Sequence, residues 1–201
     1  MEFELEDFLK SYDISEREFL TWVRSSTRQA WANSPMKRYM EDNSKYQVEN
    51  TNPKSMKRFP KVWKRRCSIC KEENSPANME LDHIVGENSL RKPAEISDFI
   101  FSTLCVLPNQ LQWLCTDKFR VENKKKVLIR HGCHELKTYS ERYKISFEEA
   151  VIHKQAIDVI KNKQDKFFFT DRLLDTPSNV EKRKEEIIKI LLEELNNNVR
   201  E

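Results

Sequence analysis

Glycine is almost missing from this chain, with two in 201 residues, and hydrophobic residues reach only 38% while charged residues make up 34%. That balance fits a helix-rich protein with a modest core and much solvated surface. No run of about 18 apolar residues is present, so nothing in the sequence is expected to span a membrane. The first ten residues, MEFELEDFLK, are acidic and lack the pattern of a signal peptide, so an intracellular, cytoplasmic location is expected. Internal repeats and low-complexity tracts are lacking too. The length suits one sizeable domain, or a small domain with helical arms.

The net charge of +3 is small, but its placement is uneven. Between Lys54 and Arg66 stand Lys54, Lys57, Arg58, Lys61, Lys64, Arg65 and Arg66 with no acid among them. Between Lys118 and Arg130 stand Lys118, Arg120, Lys124, Lys125, Lys126 and Arg130 against a single Glu122. Such stretches suit a polyanion, nucleic acid first; a solvated face is the plainer reading of either run alone.

Along the chain, Ser15 to Glu18 forms a capping box ahead of Phe19, Trp22, Val23 and Trp31 at helical spacing. Ser34 and Pro35 start a second helix, and Asn43 to Pro60 reads as a polar loop. The centre, about Lys61 to Thr138, holds all five cysteines and two strand-like pieces, KVWKRR and NMELDHI. DFIFSTLCVL is a short helix or simply core, and FRVENKKKVLIR reads as a β-hairpin. The last third returns to helix: one opens at Ser146/Glu149, and a second, NVEKRKEEIIKILLEELNNN, has a broad apolar face. These arms cover the core or make an oligomer contact.

In a reducing compartment five cysteines argue for metal or thiols, not disulfides. Cys67 and Cys70, in CSIC, have the spacing of a knuckle that offers two sulfurs to one zinc. Cys115 and Cys133 supply a second pair if the stretch between them folds out and back, as the expected hairpin does. Cys105 and His131 are alternatives for one ligand. Downstream of the knuckle, Asp82 and His83 end an apolar run, and Asn109, Gln110 and His134 follow. Aspartate, asparagine and neutral histidine suit a divalent cation that keeps positions open for water and phosphate. A further histidine beside it suits a general base near neutral pH.

The order CSIC, LDHI, LQWLC, CHELKT resembles the HNH endonucleases, the phage-type branch in particular, and RSSTRQAWANSPMKR resembles the helix that precedes their zinc knuckle. The resemblance covers about Val23 to Glu141. It implies an α+β fold: a small ββα-metal core with a structural zinc, flanked by N-terminal and C-terminal helices. It further implies a phage-encoded, metal-dependent endonuclease that cuts or nicks double-stranded DNA, leaving 5′-phosphate and 3′-hydroxyl ends. His83 is then the base that activates water. Asp82, His134 and Asn109 hold Mg²⁺ or Mn²⁺, while Cys67, Cys70, Cys115 and Cys133 hold zinc. Lys61, Lys64, Arg65 and Arg66, with Lys124, Lys125 and Lys126, meet the DNA backbone, and Arg24 and Arg28 form either a second DNA-facing stripe or a solvated face.

The chain departs from the family pattern twice. Gln110 stands where the middle asparagine is expected, with Asn109 one place earlier, so either residue takes that role. Some fifteen residues, about Lys118 to Gly132, are inserted between LCTD and CHELKT. Residues 1–45 are thus expected as a helical region, 46–141 as the nuclease core with an inserted hairpin at about 117–132, and 142–201 as a helical region whose partner is a second copy or a phage protein. A catalytically silent zinc-stabilised DNA-binding protein is the alternative, and a protein-interaction factor in phage DNA packaging a third. One geometric demand follows: neighbours on a strand face opposite sides, so Asp82 and His83 need a bend at the strand end, which Val85-Gly86 would supply.

Overall fold

The computed structural model describes residues 5–85, 90–122 and 125–198, with the side chains of Lys125 and Asn198 left aside. Helices and small sheets are mixed along the chain, an α+β composition. Backbone packing divides it into two units, residues 1–114 and 115–201.

The first unit opens with three helices: α1 (Leu5–Ser11), α2 (Glu16–Ala32) and α3 (Pro35–Asn43). The capping box forms as expected. Ser15 Oγ accepts the Glu18 amide at 3.3 Å, and Glu18 Oε2 accepts the Ser15 amide at 2.9 Å. Ser34 caps α3 ahead of Pro35. The helical periodicity of α2 has its counterpart in α4 (Ile96–Leu104): Leu20, Val23, Leu90 and Phe99 form a buried cluster flanked by Phe19 and Ile96. Each such side chain contributes about 1.5–3 kcal/mol by leaving water. Arg24 works inside this unit, its Nη2 donating to the Leu90 carbonyl at 2.7 Å; it is a packing residue here, not part of a DNA-facing stripe.

Two strands lie where the sequence suggested them, β2 (Lys61–Arg66) and β4 (Met79–His83). The supposed loop after Asn43 contains one more. β1 (Tyr46–Glu49) pairs antiparallel with β2, Tyr46 opposite Lys64 and Glu49 opposite Lys61. The intervening chain is tied by Asn50, whose amide donates to the Pro60 carbonyl at 2.8 Å and whose side-chain nitrogen donates to the Phe59 carbonyl at 2.7 Å. The short β3 (Glu73–Asn74) pairs with the other edge of β2. β4 forms a separate two-stranded sheet with β5 (Leu111–Cys115).

In the second unit, β6 (Lys118–Glu122) and β7 (Lys125–Arg130) make the expected antiparallel hairpin. Helix α5 (Cys133–Tyr143) begins at the CH pair and stops at Lys144, whose φ of 55° is left-handed. Ser146 and Glu149 cap α6 (Phe147–Lys161). Between the two long helices read from the sequence stands a short one, α7 (Asp165–Thr170), followed by α8 (Val180–Asn198). The apolar face of α8 is turned inward: Ile187 is fully buried with Ala156 and Phe169, and Ile188, Ile190 and Leu191 pack around them. Among the described residues no helix is long and apolar enough to cross a membrane.

Candidate metal centre

The CSIC segment is the turn between β2 and β3. Lys71 takes a left-handed conformation (φ 62°), the Lys71 amide donates to the Cys67 carbonyl at 3.1 Å, and the Cys67 amide donates to the Glu72 carbonyl at 2.9 Å. This curls the backbone around the two sulfurs. The Ser68 amide donates to the Trp113 carbonyl at 2.8 Å, which fixes the turn to β5 two residues before Cys115.

The other pair is brought together by the hairpin. Cys115 ends β5, the chain runs out and back through β6 and β7, and Cys133 opens α5. The Cys133 amide donates to Cys115 Sγ at 3.4 Å. An Arg130 Nη2 lies 3.9 Å from the same sulfur. Gly132 makes this return possible. A Cβ at that position would stand 2.2 Å from the Thr116 carbonyl carbon, 2.4 Å from the Cys115 oxygen and 2.6 Å from the Asp117 nitrogen, all backbone atoms. Its amide donates to Asp117 Oδ1 at 2.8 Å, which pins the crossing.

The sulfurs of Cys67, Cys70, Cys115 and Cys133 lie within 4.8 Å of one another, with three of the cysteines buried and Cys70 exposed. Four sulfurs about 2.3 Å from a tetrahedral zinc stand roughly 3.8 Å apart, so a slight contraction suits the ion. The donor set itself, four cysteines, is the one structural zinc favours. The cluster can hold a metal such as zinc. The alternative ligands drop out. Cys105 is exposed outside the cluster, and His131 Nε2 is 2.8 Å from Asp158 Oδ2. Among the described residues no second group of three or more His, Cys, Asp or Glu side chains is gathered this way; one aspartate and one histidine with an asparagine fall short of that number.

His83 lies at the end of β4, on the buried face of the strand with Met79 and Leu81, and is 9% exposed. Its ring centre is 5.3 Å from that of Trp31. Nε2 lies 3.3 Å from the Thr103 carbonyl oxygen. A carbonyl can only accept, so this bond puts a proton on Nε2 and leaves Nδ1 as the acceptor of a neutral ring. Asp82 is half-buried on the opposite face of the strand, as alternation demands. The bend falls at Ile84 and Val85, after His83; Gly86 lies outside the described residues.

Asn109 and Gln110 share a 3-10 turn, both exposed. Gln110 Oε1 accepts the Leu107 amide at 2.7 Å, and its backbone carbonyl accepts the Ile84 amide at 2.8 Å. Gln110 therefore fastens its turn to the residue after His83. His134 is the second residue of α5, half-buried. Beside it, a hydrogen bond from Lys154 holds the Glu135 carboxyl below its usual range, against an opposing effect of burial.

The expected DNA contacts divide. Lys61 is exposed and Lys64 half-buried. Arg65 is corrected: it is 6% exposed, its guanidinium lies 3.8 Å from the Trp113 ring centre, and Nη2 donates to the Glu41 carbonyl. Burial pulls its pKa below the ordinary arginine value, with Glu41 and Asp42 opposing. Arg66 is exposed but paired with Glu73 at 3.0 Å, and that bond is the main cause holding the Glu73 carboxyl below its usual range. Lys126 is exposed on β7, whereas Lys124 lies outside the described residues and for Lys125 only the backbone is described. Sequence reasoning passed over Gly132, Gln110 as a backbone fastener, and Trp113 as the platform for Arg65. Of these, only Gly132 carried a signal, as one of just two glycines. No family model, curated protein or solved structure matches the chain.

Proposed function

We infer that this chain is a zinc-stabilised, metal-dependent DNA endonuclease with an HNH-type ββα-metal site. The observation that carries the reading is the cysteine cluster. Its four members are the cysteines of CSIC, LQWLC and CHELKT, which frame LDHI in the motif order. The insertion that breaks that order is a hairpin, which returns the chain to the pattern instead of abolishing it.

In this reading zinc is structural. Asp82, His134 and Asn109 would hold the catalytic ion; a carboxylate, an imidazole and an amide carbonyl suit Mn²⁺ or Mg²⁺. Such an ion supplies positive charge to the scissile phosphate and the departing 3′ oxygen. His83 takes the proton of the attacking water at Nδ1, since Nε2 is committed to the Thr103 carbonyl. Trp31 fixes the plane of the ring, and Gln110 holds the strand end next to it. The products carry 5′-phosphate and 3′-hydroxyl ends.

A second reading is a silent zinc-stabilised DNA-binding protein. The burial of His83 against Trp31 favours it, because a core histidine has the same surroundings. Conversion of supercoiled plasmid with Mn²⁺ or Mg²⁺ separates the two, using wild type, His83→Gln and Asp82→Asn at equal zinc content. Nicking by wild type that both variants lose by about 10²-fold or more supports the nuclease. Salt-sensitive plasmid binding with no cleavage by any of the three supports the silent binder.

A further inference from the structure

We propose that the β6–β7 hairpin is a two-stranded ribbon that lies in the major groove of duplex DNA, with Phe119 and Val121 against the base edges. The proposal rests on the reading of the chain as a protein that acts on duplex DNA, and adds how it would grip it.

The hairpin stands out by its exposure. Every residue of β6 is exposed; Phe119 is 50% and Val121 74% accessible, and Ile129 across from them is 52% accessible. A two-stranded hairpin alone is only marginally stable in water, and apolar side chains this open add nothing to its folding.

The register sorts its chemistry by face. Phe119 is opposite Leu128 and Val121 opposite Lys126, so these four share one side. Arg120 is opposite Val127, on the other side with Glu122, and Lys118 stands opposite Arg130 beyond a bulge. The first face is an apolar strip ending in one cation. The second and the base of the ribbon carry Lys118 and Arg120. The ion pair of Arg120 with Glu122, at 2.9 Å, has both side chains exposed and is worth little against a phosphate.

A ribbon of this kind has the dimensions of one ligand. Paired strands are about 4.8 Å apart and five residues run about 17 Å; the major groove, about 12 Å wide, admits a two-stranded ribbon. Phenylalanine and aliphatic side chains meet thymine methyl groups there, and lysine meets guanine acceptors. Cations at the margins meet the flanking phosphates, which position and do not specify. Glu122 is the sole acid against Lys118, Arg120, Lys126 and Arg130 in the described strands, a charge balance that suits duplex DNA.

The test is fluorescence anisotropy of a labelled mixed-sequence duplex of about 30 base pairs, with the full zinc-loaded chain and no added divalent cation, over a series of salt concentrations. The triple variant Lys118→Gln, Arg120→Gln, Lys126→Gln should reduce the slope of log affinity against log salt by about 2.7, from about 0.9 per lost phosphate contact. The double variant Phe119→Ser, Val121→Ser should weaken binding about tenfold with the slope unchanged, by loss of groove contacts that release no counterion. Zinc content and melting temperature report that both variants fold. Affinity within twofold of wild type and an unchanged slope for both variants overturn the ribbon while wild-type binding leaves the DNA reading standing. Tighter binding to the single strand than to the duplex overturns the groove. No salt-dependent binding by wild type overturns the ribbon together with the DNA reading. Both variant effects without any plasmid cleavage uphold the ribbon and remove the nuclease.

Discussion

Substitution of Gly132 by alanine probes the metal centre without touching a ligand. With φ −78° the position is open to any residue, and alanine there would ordinarily stabilise by about 0.4–1 kcal/mol through the unfolded chain. The structure reverses the sign. The new methyl would be 2.2 Å from the Thr116 carbonyl carbon, where ordinary contact begins near 3.4 Å, and its other close neighbours are the Cys115 oxygen and the Asp117 nitrogen. No flexible side chain is there to move aside, so the two backbone segments must part by about 1 Å. Overpacking of this kind costs about 1–3 kcal/mol, and the bond from the Gly132 amide to Asp117 adds about 1 kcal/mol when it is stretched. Because the segments that part carry Cys115 and Cys133, the cost falls on zinc binding: about 3 kcal/mol corresponds to roughly a hundredfold loss of affinity. Competition with a chromophoric chelator measures this directly, with urea unfolding as the companion. Zinc affinity within threefold of wild type, at unchanged urea midpoint, would refute the reasoning.

Three further outcomes are expected. Arg65→Met should cost about 2–3 kcal/mol of stability, from the lost ring stack and charged hydrogen bond, and leave the salt slope of DNA binding unchanged; a slope lowered by about one would return Arg65 to the DNA interface. Burial is the main cause that pulls His153 below its ordinary 6.5, with Lys184 adding to it and Glu149 opposing. The unfolded chain then binds this proton more readily, so the contribution is full above about pH 6.5 and is lost as pH falls through the lower folded value. His153→Gln should accordingly flatten the fall in melting temperature between pH 7.5 and 5.5, and an identical fall in both proteins counts against it. Cys105→Ser should leave zinc content and affinity unchanged, whereas Cys67→Ser should lose the metal, as measured by mass spectrometry under native conditions.

Much of the centre was legible because its signals are local. Capping boxes at Ser15 and Ser146 set helix starts by hydrogen bonds within four residues. Two β-prone runs around a polar turn gave the hairpin, and with it the closure of Cys115 on Cys133. What escaped depends on partners remote in sequence. β1 reads as loop because YQVE has too little apolar character, and it is a strand only because β2 offers it an edge. Arg65 stood in a run of cations with no alternation to mark an inner face; its burial comes from Trp113, nearly fifty residues on. Gln110 looked like a failed asparagine until the Ile84 amide was found on its carbonyl.

The central claim is that Cys67, Cys70, Cys115 and Cys133 form one structural zinc site, on which the nuclease reading stands. Native mass spectrometry of the purified chain, before and after exchange into a strong chelator, tests it most directly. The account predicts one tightly held zinc per chain, absent when Cys67 and Cys133 are both serine. A chain that carries no zinc after purification in zinc-containing medium, or that keeps its zinc in that double variant, would contradict it.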